Sequence, residues 1–485
     1  MEVSCDLLVI GGGINGAGIA RDAAGRGLSV VLVERDDLAN ATSSASSKLI
    51  HGGLRYLELY EFRLVAEALA ERETLLRVAG HLTWPLSFVM PHVPELRPRW
   101  MIRAGLFLYD HLARRSLLPG SRTVRLDQPP YASGLAPALK HGFLYSDCRV
   151  DDARLVIANA HDAAARGARV MVGTECVAAR REPGGWQVRL SSGEEVRART
   201  LVNAAGPWVK QVLNQRLGQP SADAVRLVRG SHIVVPRLYE GEHAFILQND
   251  DRRVVFMIPY EERFTLVGTT DVALEADHME AQPSAAEIDY LCRAASRYLA
   301  RALTPQQVVW RYAGVRPLYD DGSADPSDVT RDYTLRLDGE PGAAPVLSVF
   351  GGKITTYRRL AEQALAKLAP YFPGMSGPWT DRSPLPGSNF ASRAAAQAAF
   401  FERHRGLPQP WLRAIFRRHG ALAAEVTGDG NLGEHYGAGL TEREVRYFAE
   451  REWARSAEDV LWRRTKCGLH MSEAERGRVA QVMGR

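Results

Sequence analysis

The sequence predicts an α/β fold: a Rossmann-like dinucleotide-binding domain interrupted by an inserted antiparallel β-sheet domain and followed by a C-terminal helical domain. Three observations carry this expectation. The chain opens on strand, G-x-G-x-x-G, helix, strand and acid between residues 6 and 34. A strand running into paired glycines and then a helix recurs at 346–368. Between them, residues 225–337 read as short alternating strands and turns.

The 485 residues suggest two or three domains. With 46 % hydrophobic and 24 % charged residues, the chain is neither fibrous nor mainly disordered. No apolar run reaches the roughly 18 residues of a membrane-spanning helix. Acids near the N-terminus, where a secretory signal would carry a basic flank, argue against export. The five cysteines form no C-x-x-C pair, so neither disulfides nor a metal site is expected, and a reducing cytoplasm fits. The net charge of +5 is too mild to indicate nucleic-acid binding.

In chain order, residues 6–10 (DLLVI) form a short apolar run of the buried parallel-strand kind. Gly11, Gly13 and Gly16 then allow a tight turn, close approach of a pyrophosphate, and close packing of the following helix on the sheet. That helix presents free N–H groups to the phosphates near Ile14 and Asn15. A second strand ends at Glu34, placed to accept from an unphosphorylated adenosine ribose, which favours FAD or NAD over NADP. Arg35 follows it. Residues 42–58 (TSSASSKLIHGGLRYLE) are dense in hydroxyls and glycines at the carboxyl edge of the sheet, where a larger cofactor would need donors.

This segment and the opening motif closely resemble aerobic, FAD-dependent glycerol-3-phosphate dehydrogenases. The resemblance recurs at 200–209 (TLVNAAGPWV), 229–232 (RGSH), 268–271 (GTTD), 312–318 (YAGVRPL), 327–332 (SDVTRD), 350–358 (FGGKITTYR) and 459–466 (DVLWRRTK), nearly end to end. It implies non-covalent FAD held by Gly11, Gly13, Ile14, Asn15, Gly16, Glu34, Arg35, Thr42, Ser43, Ser46, Ser47, Lys48, Leu49, His51, Gly52 and Gly53, with Ala205, Gly206, Gly351, Gly352, Lys353, Ile354 and Thr355 on the returning segments. The division implied is 1–75, 145–212 and 345–372 for FAD, 76–144 and 213–344 for substrate, and 380–485 for the helical domain. There, Thr441 and Glu444 have capping-box spacing. Arg413, Arg417, Arg418, Arg463 and Arg464 are interleaved with acids and read as a solvated face or a dimer surface.

The reaction implied is sn-glycerol 3-phosphate plus quinone giving dihydroxyacetone phosphate plus quinol. A phosphate needs fixed cations, and arginine's planar fork suits its oxygens. An arbitrary arginine is usually a solvated surface charge; the family match sets apart Arg316, Arg331 and Lys353, then Arg55 and Tyr56, with Thr270 also shaping the pocket. Arg316 orients the hydroxyl rather than removing its proton, because a guanidinium stays charged. His51 and His232 are the candidate bases, against the plainer reading that each holds a loop by hydrogen bonds. Lys353 is a further contributor.

Seven arginines and a single acid lie between Arg97 and Arg125, and residues 99–115 mix this basic charge with Trp100 and Phe107. Such a segment suits a helix lying in the headgroup region of the cytoplasmic leaflet, although a core helix with basic ends has the same composition. The expected protein is therefore a peripheral, homodimeric membrane enzyme with no nucleic-acid partner. Two other readings keep the fold: an oxidase passing electrons to oxygen, and an amine- or amino-acid-oxidising flavoenzyme. The cations favour a phosphate dianion over a monocarboxylate.

Overall fold

In the computed structural model, residues 3–93, 95–114, 117–221, 223, 225–251, 253–274, 281–320, 332–339 and 343–484 are described. Arg331 lies outside them.

The opening apolar run forms the centre of a parallel sheet. Leu7, Leu8 and Val9 are fully buried because layers cover both faces, as a run without polar alternation requires. Edge to edge the sheet runs Thr334–Asp338, Val346–Phe350, Glu195–Asn203, Val3–Ile10, Val30–Glu34 and Arg169–Val172, with the hairpin Cys176–Glu182 and Gly185–Leu190 added antiparallel to Glu195–Asn203. The five strands from Val346–Phe350 to Arg169–Val172 are parallel. Helix α1 (Ile14–Gly25) leaves the first strand through the glycine turn.

A second sheet, of ten strands, contains Thr83–Pro91, His141–Val150, Val225–Pro236, Ala244–Gln248, Val254–Tyr260, Phe264–Gly268 and Trp310–Tyr319. It is antiparallel except where Thr83–Pro91 runs parallel to Ala244–Gln248. Helices α2 (Phe62–Val78) and α3 (Arg99–His111) link strands within the second sheet, and α4 (Asp152–Ala165) leads from it back to the first. The short strand Leu49–Ile50 pairs with His141–Val150, so the hydroxyl-rich loop is hooked onto the second sheet just before His51.

Several boundaries shift. The expected division at 144/145 cuts through the strand His141–Val150, which stays in the second sheet along its whole length. Thr334–Asp338, assigned from sequence to the inserted domain, turns back on Val346–Phe350 and extends the first sheet.

Beyond the linker, helices Arg393–Arg403, Gln409–His419, Glu442–Glu452 and Glu473–Met483 enclose a core that includes Phe400, Leu412, Phe416 and Phe448. Two expectations about this region are corrected. Thr441 is the N-cap residue of Glu442–Glu452, but its side chain makes no cap bond, and the Glu444 carboxylate goes to Arg418 and His419 rather than back to the cap. Arg418, Arg463 and Arg464 are buried rather than solvated: Arg464 donates to both Asp37 oxygens at 2.6 and 2.8 Å, and Arg463 Nε joins them at 2.5 Å. Sequence interleaving of acids and bases cannot tell an internal ion network from a wet surface.

Candidate active site

The first sheet's carboxyl edge gathers the glycine loops. Gly11 has φ +110°, and a Cβ there would sit 2.6 Å from the Ala204 carbonyl, so only glycine makes this turn. Glu34 reaches back to the same turn, accepting from the Gly12 amide at 2.6 Å and from Asp36 at 2.9 Å. Burial pushes its carboxyl above the usual range, although these amides pull it down. Ser43 Oγ accepts from the Ile14 amide at the start of α1. Asn15 donates to the Gly351 carbonyl at 3.2 Å, which joins the two glycine loops, while its own buried Oδ1 has no partner among the described residues. Arg35 leaves the loop and lies over the Trp208 ring at 4.3 Å.

A cavity of about 200 Å³ opens beside these loops. Thr42, Ser46, Ser47, Leu49, His51, Tyr56, Arg316, Gly352, Lys353, Ile354 and Thr355 all line it. A wider depression of about 500 Å³, between Ala285 and Arg311, contains none of the expected site residues. Two hydrogen bonds staple the strand Trp310–Tyr319 to the cofactor loop: Thr42 Oγ1 donates to Val315 O at 2.6 Å, and Tyr312 Oη to Ser46 O at 2.8 Å. They set Arg316 at the cavity wall.

Arg316 lies flat over Gly230, where a Cβ would come within 2.1 Å of its guanidinium. It donates to Asp271 Oδ1 at 2.7 Å, to Thr269 Oγ1 at 2.9 Å and to Thr270 O at 3.2 Å. Asp271 also faces Arg55, with Oδ2 3.8 Å from Nη1, so one carboxylate holds two cations from separate loops. Opposite, the Lys353 ammonium stands 3.9 Å over the Tyr56 ring. In the sequence Asp271 stands only as the last residue of the 268–271 motif; its bridging role needs the fold.

The two histidines differ. His232 shares a 2.9 Å hydrogen bond between Nε2 and Ser47 Oγ and stacks on Tyr312 at 4.9 Å. Burial, with Arg316 and Lys48 nearby, holds its pKa well below the ordinary value. His51 is fixed through its backbone to Thr355 Oγ1, and its ring meets Phe256 edge-on at 6.4 Å. Burial and Lys353 lower its pKa, while Asp147 opposes them.

Three of the expected side chains are tied to buried carboxylates. Lys48 turns away from the cofactor side into a buried pair with Asp152 at 2.9 Å, and Ser46 Oγ donates to the same carboxylate at 2.7 Å. Thr270 is buried behind the wall, donating to Glu287 at 2.8 Å and accepting from the Ser231 amide, so only its carbonyl serves Arg316. Hydroxyl and lysine side chains in a polar loop carry no sequence sign of which way they point.

Comparison with known proteins extends these findings. Residues 6–358 match the family described as FAD dependent oxidoreductase. The chain belongs to this family. Its cofactor is FAD, and the glycine turns, Glu34 and the unsatisfied Asn15 Oδ1 suit a dinucleotide. Residues 378–485 match the C-terminal domain of alpha-glycerophosphate oxidase. A glycerol-3-phosphate dehydrogenase of Pseudomonas aeruginosa is 52 % identical, covering 99 % of this chain and 94 % of its own. A D-erythritol 1-phosphate dehydrogenase of Brucella abortus is 51 % identical, covering 98 % and 96 %. The solved structure of glycerol-3-phosphate dehydrogenase from Bacillus halodurans, complexed with FAD, aligns with a TM-score of 0.71 at 25 % identity, covering 99 % of this chain and 94 % of that one.

Proposed function

We propose that this FAD-dependent enzyme oxidises sn-glycerol 3-phosphate to dihydroxyacetone phosphate and passes the electrons to a membrane quinone. The observation that carries the reading is that Arg316 and Lys353 both line a small cavity beside the cofactor loops, with Arg55 tied to the Asp271 carboxylate that also holds Arg316. Guanidinium and ammonium groups bind a phosphate dianion at the cavity wall, with Arg316 held in orientation by Asp271 and Thr269. His51, neutral at neutral pH, accepts the proton of the C2 hydroxyl. His232 is the weaker candidate, because its Nε2 is engaged by Ser47. FAD, held at the glycine turns of Gly11 and Gly351, would supply the hydride acceptor for C2. Lys353 and the helix Tyr357–Leu368 behind it supply positive potential on that side of the cavity.

Electron transfer to quinone calls for contact with a bilayer. No helix among the described residues is long and apolar enough to cross a membrane. Helix α3 buries Ile102, Leu106 and Tyr109 and leaves Trp100 at 70 % and Phe107 at 61 % exposed, next to exposed Tyr60. We read this face, with its flanking arginines, as the attachment to the cytoplasmic leaflet.

The decisive experiment is anaerobic addition of sn-glycerol 3-phosphate to the holoenzyme. Bleaching of the flavin, then reoxidation by a quinone analogue, is expected. An unreduced flavin rejects the substrate, and reoxidation by oxygen alone with stoichiometric peroxide rejects the acceptor. The Brucella relative makes D-erythritol 1-phosphate the competing substrate. A kcat/KM higher for it than for sn-glycerol 3-phosphate reverses the assignment.

A further inference from the structure

We propose that Tyr109 is a positioning residue for the reaction: from the buried face of α3, its phenol fixes the Gly52 amide and thereby the placement of His51 at the cavity. The inference rests on the reading of His51 as the base.

Tyr109 lies among the apolar side chains of Leu69, Ile102 and Leu106, where a phenylalanine would pack as well. Its hydroxyl is nevertheless fully used. It accepts from the Gly52 amide at 2.9 Å and donates to the Asp147 carboxylate, 2.8 and 2.7 Å from the two oxygens. Asp147 is held in turn by Arg72 Nη1 at 2.7 Å, and the same nitrogen donates to Ser146 O at 2.9 Å. Tyr109, Asp147 and Arg72 are 2, 1 and 3 % exposed. Desolvating a carboxylate, a guanidinium and a phenol together is costly, and the Asp147 carboxylate offsets this by bonding both of the others, although Arg72 Nε has no partner among the described residues.

The turn and the phenol are fitted to each other: a Cβ at Gly52 would fall 2.6 Å from Tyr109 Oη. A second path runs from Tyr109 to the ring of His51. Tyr109 meets Tyr145 edge-on at 5.8 Å, Tyr145 stacks on Phe88 at 5.2 Å, Phe88 meets Phe256 at 6.0 Å, and Phe256 meets His51 at 6.4 Å. On the other side, Thr355 Oγ1 accepts from the His51 amide at 3.3 Å. His51 is thus held through the neighbouring amide, through its ring and through its own backbone. Only the first two holds trace back to α3, the helix whose opposite face is exposed.

The test measures anaerobic flavin reduction by sn-glycerol 3-phosphate and steady-state turnover with a quinone analogue, in the holoenzyme, for three variants. Y109F removes only the hydroxyl; its kcat is expected to fall about tenfold while KM stays within twofold and FAD content is unchanged. Y239F, which removes a buried phenol bonded to His243 O and Met257 O in a different core, is the stability control and should lower Tm without changing kcat. D147N keeps the shape but removes the charge. The charged groups acting on His51 are Asp147, which favours its protonated form, and Lys353, which opposes it. The acid limb of the D147N pH profile should therefore move to lower pH. A Y109F that matches wild type or behaves like Y239F, or a D147N profile superposing on wild type, overturns the inference. If wild type itself is not reduced, the activity reading fails and the inference falls with it; if wild type is reduced and Y109F matches it, only the inference falls.

Discussion

Arg316 works as a fork rather than as a charge. Its guanidinium is shared among Asp271, Thr269 and Thr270 O, so its plane is fixed before substrate arrives. Arg316→Lys keeps the charge and loses that geometry. We expect kcat/KM to fall at least about a hundredfold, the ~3 kcal/mol of a charge-assisted hydrogen-bond pair, with flavin absorbance retained. Steady-state kinetics on the holoenzyme checks it, and a loss under threefold contradicts the assignment. The pH dependence has a definite sign. His51 must be neutral to take a proton, and burial holds its pKa below the ordinary value near 6.5. Activity limited by this base is therefore full above that value and is lost only as pH falls below it. An acid limb above pH 7 would exclude His51. Much of the site was legible residue by residue, because Arg316, Lys353, Tyr56 and His51 stand in motifs and do line one cavity. Lys48 and Thr270 stand in the same motifs and point elsewhere, since side-chain direction is decided by partners distant in sequence, Asp152 and Glu287.

At the scale of elements, the opening strand, glycine turn, α1 and second strand follow the sequence closely, because their pattern is local: an unbroken apolar run, a turn only glycine can make, and small residues where helix meets sheet. Gly11→Ala tests the turn. A side chain at φ +110° and 2.6 Å from Ala204 O forces the loop open, and we expect purified protein with most of its FAD lost, read from the 450 nm to 280 nm absorbance ratio. Helix α3 shows the limit of local pattern. Its composition fits a core helix or a surface helix equally, and only the fold shows that Trp100 and Phe107 stay mostly exposed. Trp100→Ser with Phe107→Ser should cut co-sedimentation with anionic vesicles several-fold, while leaving reduction by substrate and turnover with a water-soluble acceptor near wild type. Unchanged sedimentation removes α3 as the anchor.

Across the whole molecule, the C-terminal domain is bound to the cofactor domain by charge. Asp37, three residues beyond Glu34, takes Arg463 and Arg464, and Arg154 on α4 takes Glu452 at 2.9 Å. Within the domain, Glu444 takes Arg418 and His419, and Glu261 of the second sheet pairs with Arg417. The contacts between domains were invisible in sequence because their partners lie 156 to 427 residues apart. Removing one member strands the others: Arg464→Met leaves Asp37 with Arg463 alone and should cost about 3–5 kcal/mol, seen as a lower Tm and faster flavin release from the 34–37 loop. The pH dependence follows from the same pairs. Burial pushes Glu444 and Glu261 up, yet Arg418 and His419 for the first, and Arg417 and Arg149 for the second, bring both down to about 2. A carboxyl depressed in the folded state adds stability above its unfolded value near 4.3, and that stability is lost as pH falls towards the folded value. The C-terminal domain's own fold, through Glu444, and its docking, through Glu261, should therefore hold above about pH 4.5 and fail between there and pH 2. Trp462, from this domain, stacks on Trp310 of the second sheet at 4.7 Å and reports the contact. Tryptophan emission should shift to longer wavelength across that window, and Arg464→Met should move the midpoint to higher pH. A midpoint unmoved by the substitution would mean that the ion network does not hold the domains together.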